Sequence, residues 1–67
     1  MTKYVTIGGA HFRITTGEGA WVELAEWYWA ERRWWIHDDP WTGLAKVGVL
    51  VATGLATVSD SDPTEHK

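Results

Sequence analysis

Residues 20–37 read AWVELAEWYWAERRWWIH and hold five of the six tryptophans of this 67-residue chain. The stretch contains no glycine or proline, and its Ala, Leu, Glu and Arg residues favour a helix. We therefore predict one central, tryptophan-rich helix over residues 20–37. Its polar residues Glu23, Glu26, Arg33 and His37 would form a narrow stripe at three-four spacing. The rest of its girth would be apolar, so this helix would need cover from more than one side.

Before this stretch, Gly8-Gly9 separates two runs in which apolar and polar residues alternate. That pattern is typical of a β-hairpin with a two-residue turn. With this turn, Ile7 faces Ala10 and Tyr4 faces Arg13. One face would then carry Val5, Ile7, Ala10, Phe12 and Ile14, and the other Tyr4, Thr6, His11, Arg13 and Thr15. Because alternate strand residues point to opposite faces, this register separates apolar from polar side chains.

The run Tyr4-Val5-Thr6-Ile7-Gly8-Gly9, followed by Phe12-Arg13-Ile14, resembles the first hairpin of many small phage assembly proteins. The resemblance covers these residues alone. It implies a phage or mobile-element origin and carries no implication for activity.

The segment after Asp38-Asp39-Pro40 allows two structures. Residues 47–53 alternate between β-branched and other residues, which favours a strand, and Gly54 could turn the chain into a second strand. The hairpin, the helix and these strands would then form one small α+β domain over residues 1–59. A second helix is the alternative for this segment. The polar residues 60–67 are expected to be a disordered acidic tail.

As a helix, residues 41–59 are also long enough to span a membrane. Gly48, Ala52 and Ala56 would form a small-residue packing stripe, and nearby tryptophans would lie at the interface. Basic residues precede the segment and acidic residues follow it, so the N-terminus would be cytoplasmic. The uninterrupted apolar run is shorter than a membrane-spanning helix usually requires. We therefore favour the prediction of a soluble, cytoplasmic protein.

The composition excludes several functional classes. There is no cysteine, which removes disulfides, thiolate metal sites and cysteine catalysis. Six basic against nine acidic residues give a formal charge of −3, which argues against nucleic-acid binding through a basic face. The only serines, Ser59 and Ser61, lie near the C-terminus, and His37-Asp38-Asp39 does not match a metal-binding spacing. We expect no catalysis, no cofactor and no metal.

The tryptophans indicate a contact surface instead. Six are more than one hairpin and one helix can cover, and Trp and Arg dominate binding hot spots. The predicted partner-binding residues are Trp27, Trp29, Arg33 and Trp34. The expected function is that of a non-catalytic interaction, assembly or accessory protein, with a protein partner or a second copy bound through this helix surface. The alternative is a single-pass minor subunit or modulator of a membrane complex.

Overall fold

Five antiparallel strands and one helix make up the fold in the computed structural model, which describes residues 1–65. The elements are β1 (Thr2–Ile7), β2 (Ala10–Thr16), β3 (Val22–Tyr28), β4 (Arg33–Ile36), α1 (Pro40–Ala52) and β5 (Thr57–Ser59). The strands lie in the order β4-β3-β2-β1-β5. Four strands therefore follow one another as a meander, and the C-terminal strand returns to pair with the first.

The N-terminal hairpin has the predicted register. Ile7 lies opposite Ala10 and Tyr4 opposite Arg13, and Gly8 in the turn has a φ of +55°. The helix α1 covers the apolar face that includes Val5, and we call this side of the sheet the helix face. The opposite face, which includes Tyr4 and Arg13, we call the tryptophan face.

The central helix predicted over residues 20–37 is wrong. These residues form a second hairpin, β3 and β4, in which Trp27 lies opposite Trp34 and Ala25 opposite Ile36. The overall class is α+β, but the layout is not one hairpin plus a central helix. An apolar surface over most of a helix is hard to cover, whereas two strands distribute the same side chains over two sheet faces. Burial on both faces therefore outweighed helix propensity.

The turn between β3 and β4 has no sequence signal of its own. Its positive φ of +54° is adopted by Arg32, where a glycine, asparagine or aspartate would have indicated a turn. A non-glycine residue in this region is strained, and the paired strands on both sides maintain it.

The C-terminal segment contains one helix and one strand. Asp39 caps α1 by accepting hydrogen bonds from the backbone N–H groups of Trp41 and Thr42, at 3.2 and 3.3 Å. The helix ends at Ala52, and Gly54 turns the chain with a φ of +79°. The strand predicted over residues 47–53 is therefore wrong, since residues 47–52 belong to α1 and Thr53 caps it. The Asp-Pro cap sets helical backbone before the β-branched residues.

The predicted membrane span over residues 41–59 is not formed, since the helix has 13 residues and a strand follows it. Within residues 1–65, no helix has the length and apolar character required to cross a membrane. The tail predicted to be disordered over 60–67 stays a prediction. The structure describes its residues 60–65, and residues 66–67 lie outside the described residues.

The core is small and lies mainly between α1 and the helix face. The fully buried apolar side chains described are Val5, Leu24, Ala25 and Val47. A Cβ added to Gly43 would lie 2.3 Å from Cδ2 of Leu24. Glycine at this position therefore lets the helix backbone approach the buried leucine.

The Asp39 cap makes the stability of α1 depend on pH. Its hydrogen bonds, led by the one from the Thr42 hydroxyl, lower the pKa of the Asp39 carboxyl below its usual 3.8. A lowered pKa stabilises the fold above the usual pKa and is lost as the pH falls through the lowered value. We expect Asp39→Ala to lower the Tm at neutral pH and this deficit to shrink below about pH 4.

Thermal unfolding followed by circular dichroism at neutral and acidic pH measures this effect. Asp39→Asn still accepts the backbone hydrogen bonds and should lose less. Asp38→Ala is the control, because Asp38 is the neighbouring acidic residue and is not the cap. An Asp39→Ala deficit that stays constant down to the most acidic pH would contradict the assignment.

Candidate functional site

Three tryptophans meet on the tryptophan face. Trp27 and Trp34 are cross-strand partners whose ring centroids lie 5.4 Å apart at an interplanar angle of 67°. Trp29 lies 5.9 Å from Trp27 in an edge-to-face arrangement, and Tyr4 lies 6.0 Å from Trp34. Such tilted geometries are the favoured ones for aromatic pairs. The four rings form a continuous aromatic surface from β1 across to the β3–β4 turn.

Polar contacts fix the position of this surface. The guanidinium of Arg13 lies 5.1 Å from the ring centre of Trp34 and 3.7 Å from a carboxylate oxygen of Glu23. At the other end, Nε1 of Trp29 donates a 2.7 Å hydrogen bond to the carbonyl of Gly9. Trp29 is thereby tied to the first hairpin although its side chain is 51% exposed. The aromatic surface is preorganised by both hairpins.

The structure brings three of the four predicted partner-binding residues together and separates the fourth. Trp27, Trp29 and Trp34 share the tryptophan face, as the ring distances require. Arg33 precedes Trp34 on the strand and points to the helix face, where its guanidinium lies 5.7 Å from the ring centre of Trp35. Consecutive strand residues alternate in direction, so Arg33 cannot be at the rim of the same aromatic surface.

A second aromatic pair was missed by the sequence analysis. Tyr28 and Trp35 stack on the helix face with centroids 4.3 Å apart and planes 17° from parallel. They border a cleft of about 350 Å³ that also includes Glu26 and His37, whose carboxylate and Nε2 are 3.2 Å apart. Glu26 and Trp35 are cross-strand partners. A hairpin assignment that places Tyr28 opposite Arg33 would have put Tyr28 and Trp35 on one face, because Arg33 and Trp35 are alternate residues of β4.

The C-terminal segment after β5 lies over the tryptophan face. Asp60 pairs with Lys3 at the start of this segment. A cavity of about 570 Å³ is lined by Tyr4 together with residues from Asp60 to Glu65, and another of about 440 Å³ by Trp27, Trp29, Arg32 and Thr64. Asp62, Pro63 and Thr64 are half-buried. Asp62 therefore lies next to Tyr4, and Thr64 lies next to Trp27 and Trp29.

Residues 62–65 form a turn within this segment. Oδ1 of Asp62 accepts hydrogen bonds from the backbone N–H and hydroxyl of Thr64, at 2.8 and 2.6 Å. The N–H of Glu65 lies 3.4 Å from the carbonyl of Asp62. Aspartate in the first position and proline in the second are the residues such a turn favours. The segment that covers the tryptophans is therefore an acidic turn centred on Pro63.

One polar atom of the aromatic surface has no partner. Nε1 of Trp27 is buried and forms no hydrogen bond with any described residue. A buried donor without an acceptor costs about 1–3 kcal/mol. The aromatic surface therefore contains a donor that the described residues leave unsatisfied.

The described residues provide little for catalysis. The hydroxyl of Thr6 lies 2.9 Å from Nδ1 of His11, but within residues 1–65 no carboxylate bonds to that ring to orient it as a base. Among residues 1–65, no group of three or more His, Asp or Glu side chains is arranged to hold a metal ion. The absence of activity, cofactor and metal expected from the sequence stays a prediction.

Comparison of the chain with protein-family models, with curated proteins and with solved structures finds no match. The phage or mobile-element origin implied by the first hairpin has no support from these comparisons.

Proposed function

We propose that this chain is a non-catalytic protein-interaction or assembly factor whose primary contact is a second copy of itself, paired along β4. The observation that carries the proposal is the outer edge of β4. This strand ends the described sheet, and its Trp35 and Ile36 are exposed. Edge strands usually carry lysine, proline or a bulge that prevents pairing with another chain. The strand Arg33–Ile36 has neither lysine nor proline.

The hydrogen-bond directions of β4 favour one arrangement of two copies. The N–H of His37 donates to the carbonyl of Leu24 at 2.9 Å. Hydrogen-bonded pairs alternate along an antiparallel ladder, so the polar backbone groups of Trp34 and Ile36 point away from β3. An antiparallel second copy centred on Trp35 would pair Trp34 of each chain with Ile36 of the other. Each of these pairs exchanges both of its N–H···O bonds.

Side-chain chemistry supports the same register. On the tryptophan face, Trp34 would lie beside Ile36 of the second copy. On the helix face, the two copies of Trp35 would lie opposite each other in the closely spaced, non-hydrogen-bonded position. Cross-strand aromatic and aromatic–aliphatic pairs each contribute roughly 0.2–1 kcal/mol. Of the predicted partner-binding residues, Arg33 and Trp34 belong to this contact.

We expect Ile36→Lys to convert a dimer into a monomer in sedimentation velocity across a range of protein concentrations. A lysine on the outer edge opposes strand pairing, and Ile36 is 53% exposed, so the fold should persist. Val58→Lys is the matched control because Val58 is 52% exposed and lies on β5, the strand at the opposite edge. It should leave the dimer intact.

A second variant separates backbone from side-chain effects. Ile36→Pro removes an outward N–H without removing a bond to β3, and proline is tolerated on edge strands. It should also yield a monomer with unchanged circular dichroism. A wild-type chain that is monomeric at every concentration, or equal dissociation by Val58→Lys, would overturn the proposal. The cytoplasmic location expected from the sequence stays a prediction.

A further inference from the structure

We infer that the aromatic surface of the tryptophan face is a binding groove for an acidic, proline-centred turn of a partner protein, and that residues 60–65 occupy it in its absence. The groove is bounded by Tyr4, Trp27, Trp29 and Trp34. The inference concerns a different contact from the outer edge of β4.

The chemistry of the occupant follows from the segment that lies there. Asp62 borders a cavity with Tyr4, and Thr64 borders one with Trp27 and Trp29. Pro63 is half-buried between them, in the turn that Asp62 caps. Aromatic-lined grooves commonly receive proline, whose fixed φ reduces the entropy lost on binding. Two cationic side chains lie at this face, Arg13 over Trp34 and Arg32 beside Trp27, Trp29 and Thr64, and their charge would favour carboxylates in the occupant. A ligand of this groove should therefore combine a proline with flanking carboxylates.

The fit of the chain's own turn is incomplete, which leaves room for a better ligand. Two open depressions, of about 570 and 440 Å³, lie beside the turn, and a larger ligand could extend into them. Nε1 of Trp27 remains a buried donor without an acceptor among the described residues. A partner turn that places a carbonyl or carboxylate oxygen at this atom would gain a hydrogen bond that the chain's own segment does not make.

A second copy is not the occupant we infer. The tail is covalently attached, and a tethered ligand competes at an effective concentration in the millimolar range. Exchange of identical tails between two chains creates no contact that each chain lacks alone. A partner with additional contacts in the cavities can displace the tail, whereas another tail of the same sequence gains nothing.

The test uses the capped peptide SDSDPTE, which is the sequence of residues 59–65, titrated against full-length chains by tryptophan fluorescence. The wild-type chain should bind it weakly because its own tail competes. A full-length chain with Asp62→Ala and Pro63→Gly loses the turn cap and the fixed φ. That chain should bind the peptide about tenfold more tightly or better, given millimolar competition in the wild type.

Two further variants in this tail-weakened background locate the site. Trp29→Ala should abolish peptide binding. Trp21→Ala is the matched control, since Trp21 is 53% exposed, similar to Trp29, but packs against Gly17 at the other end of the sheet. A peptide in which the residues corresponding to Asp62, Pro63 and Glu65 are replaced by alanine should not bind.

Equal affinity for the wild-type and tail-weakened chains, no binding to the tail-weakened chain, or equal losses from Trp29→Ala and Trp21→Ala would each overturn the inference. The titration measures peptide binding to the groove, whereas sedimentation measures dimerisation through the edge of β4. Either proposal can therefore fail without the other.

Discussion

Replacing Leu24 by alanine is expected to leave much of the chain unfolded at 25 °C. Leu24 is fully buried, at 0% exposure, between β3 and α1. Truncation of a buried leucine to alanine costs about 2–5 kcal/mol. A domain of this size without disulfides rarely has more than about 3–5 kcal/mol of stability, so one substitution can remove nearly all of it. Loss of the near-ultraviolet circular dichroism of the tryptophans would report the unfolding.

Leu55→Ala is the matched control for this prediction. It makes the same chemical change at a side chain that is 68% exposed. Exposed substitutions of this kind usually change stability by less than about 0.5 kcal/mol. If the two variants melted at the same temperature, the placement of Leu24 at the centre of the core would be wrong.

A methyl group at Gly43 is expected to destabilise the fold, although alanine is a better helix former than glycine. The added Cβ would lie 2.3 Å from Cδ2 of Leu24, too close for any ordinary contact. Leu24 is itself enclosed and has little freedom to move. Overpacking of this kind costs about 1–3 kcal/mol, against a gain of about 0.5–1 kcal/mol from helix propensity. Urea unfolding of Gly43→Ala measures the net loss.

Gly48→Ala makes the same change five residues further along α1. Outside its own helix backbone and chain neighbours, no described heavy atom lies within 4 Å of its added Cβ. Only the gain in helix propensity should therefore remain, and the midpoint should rise. Opposite signs for the two variants are the expected result. A higher midpoint for Gly43→Ala would show that α1 does not approach the sheet as closely as described.

The first hairpin was predictable because two independent signals agree there. Gly8 supplies the turn, and the alternation around Val5 and Phe12 admits only one register that separates apolar from polar side chains. In residues 20–37 the signals conflict. Leucine, alanine and glutamate favour a helix, no glycine indicates the turn, and Arg32 adopts the positive φ instead. Pairing with β2 decides between the two structures, and β2 lies outside the stretch whose composition favours a helix.

The candidate site was partly predictable for a related reason. Trp27 and Trp34 lie seven residues apart, which places them on one side of a helix and, with this turn, also opposite each other in a hairpin. Their association was therefore expected under either structure. Arg33 was misplaced because adjacent residues diverge by about 100° on a helix but point to opposite faces of a strand. The acidic turn at Pro63 gave no sequence signal for the surface it covers.

The pairing of β5 with β1 also determines the order in which the sheet can be completed. It consists of three residue pairs between opposite ends of the chain, whereas β1 to β4 form from neighbouring hairpins. Local contacts form early, and distant ones bear the entropy of closing a long loop. During synthesis, the outer edge of β1 therefore stays open until residues 57–59 are available to pair with it. By pairing with this edge, β5 ends the interval in which a nascent chain could recruit another strand.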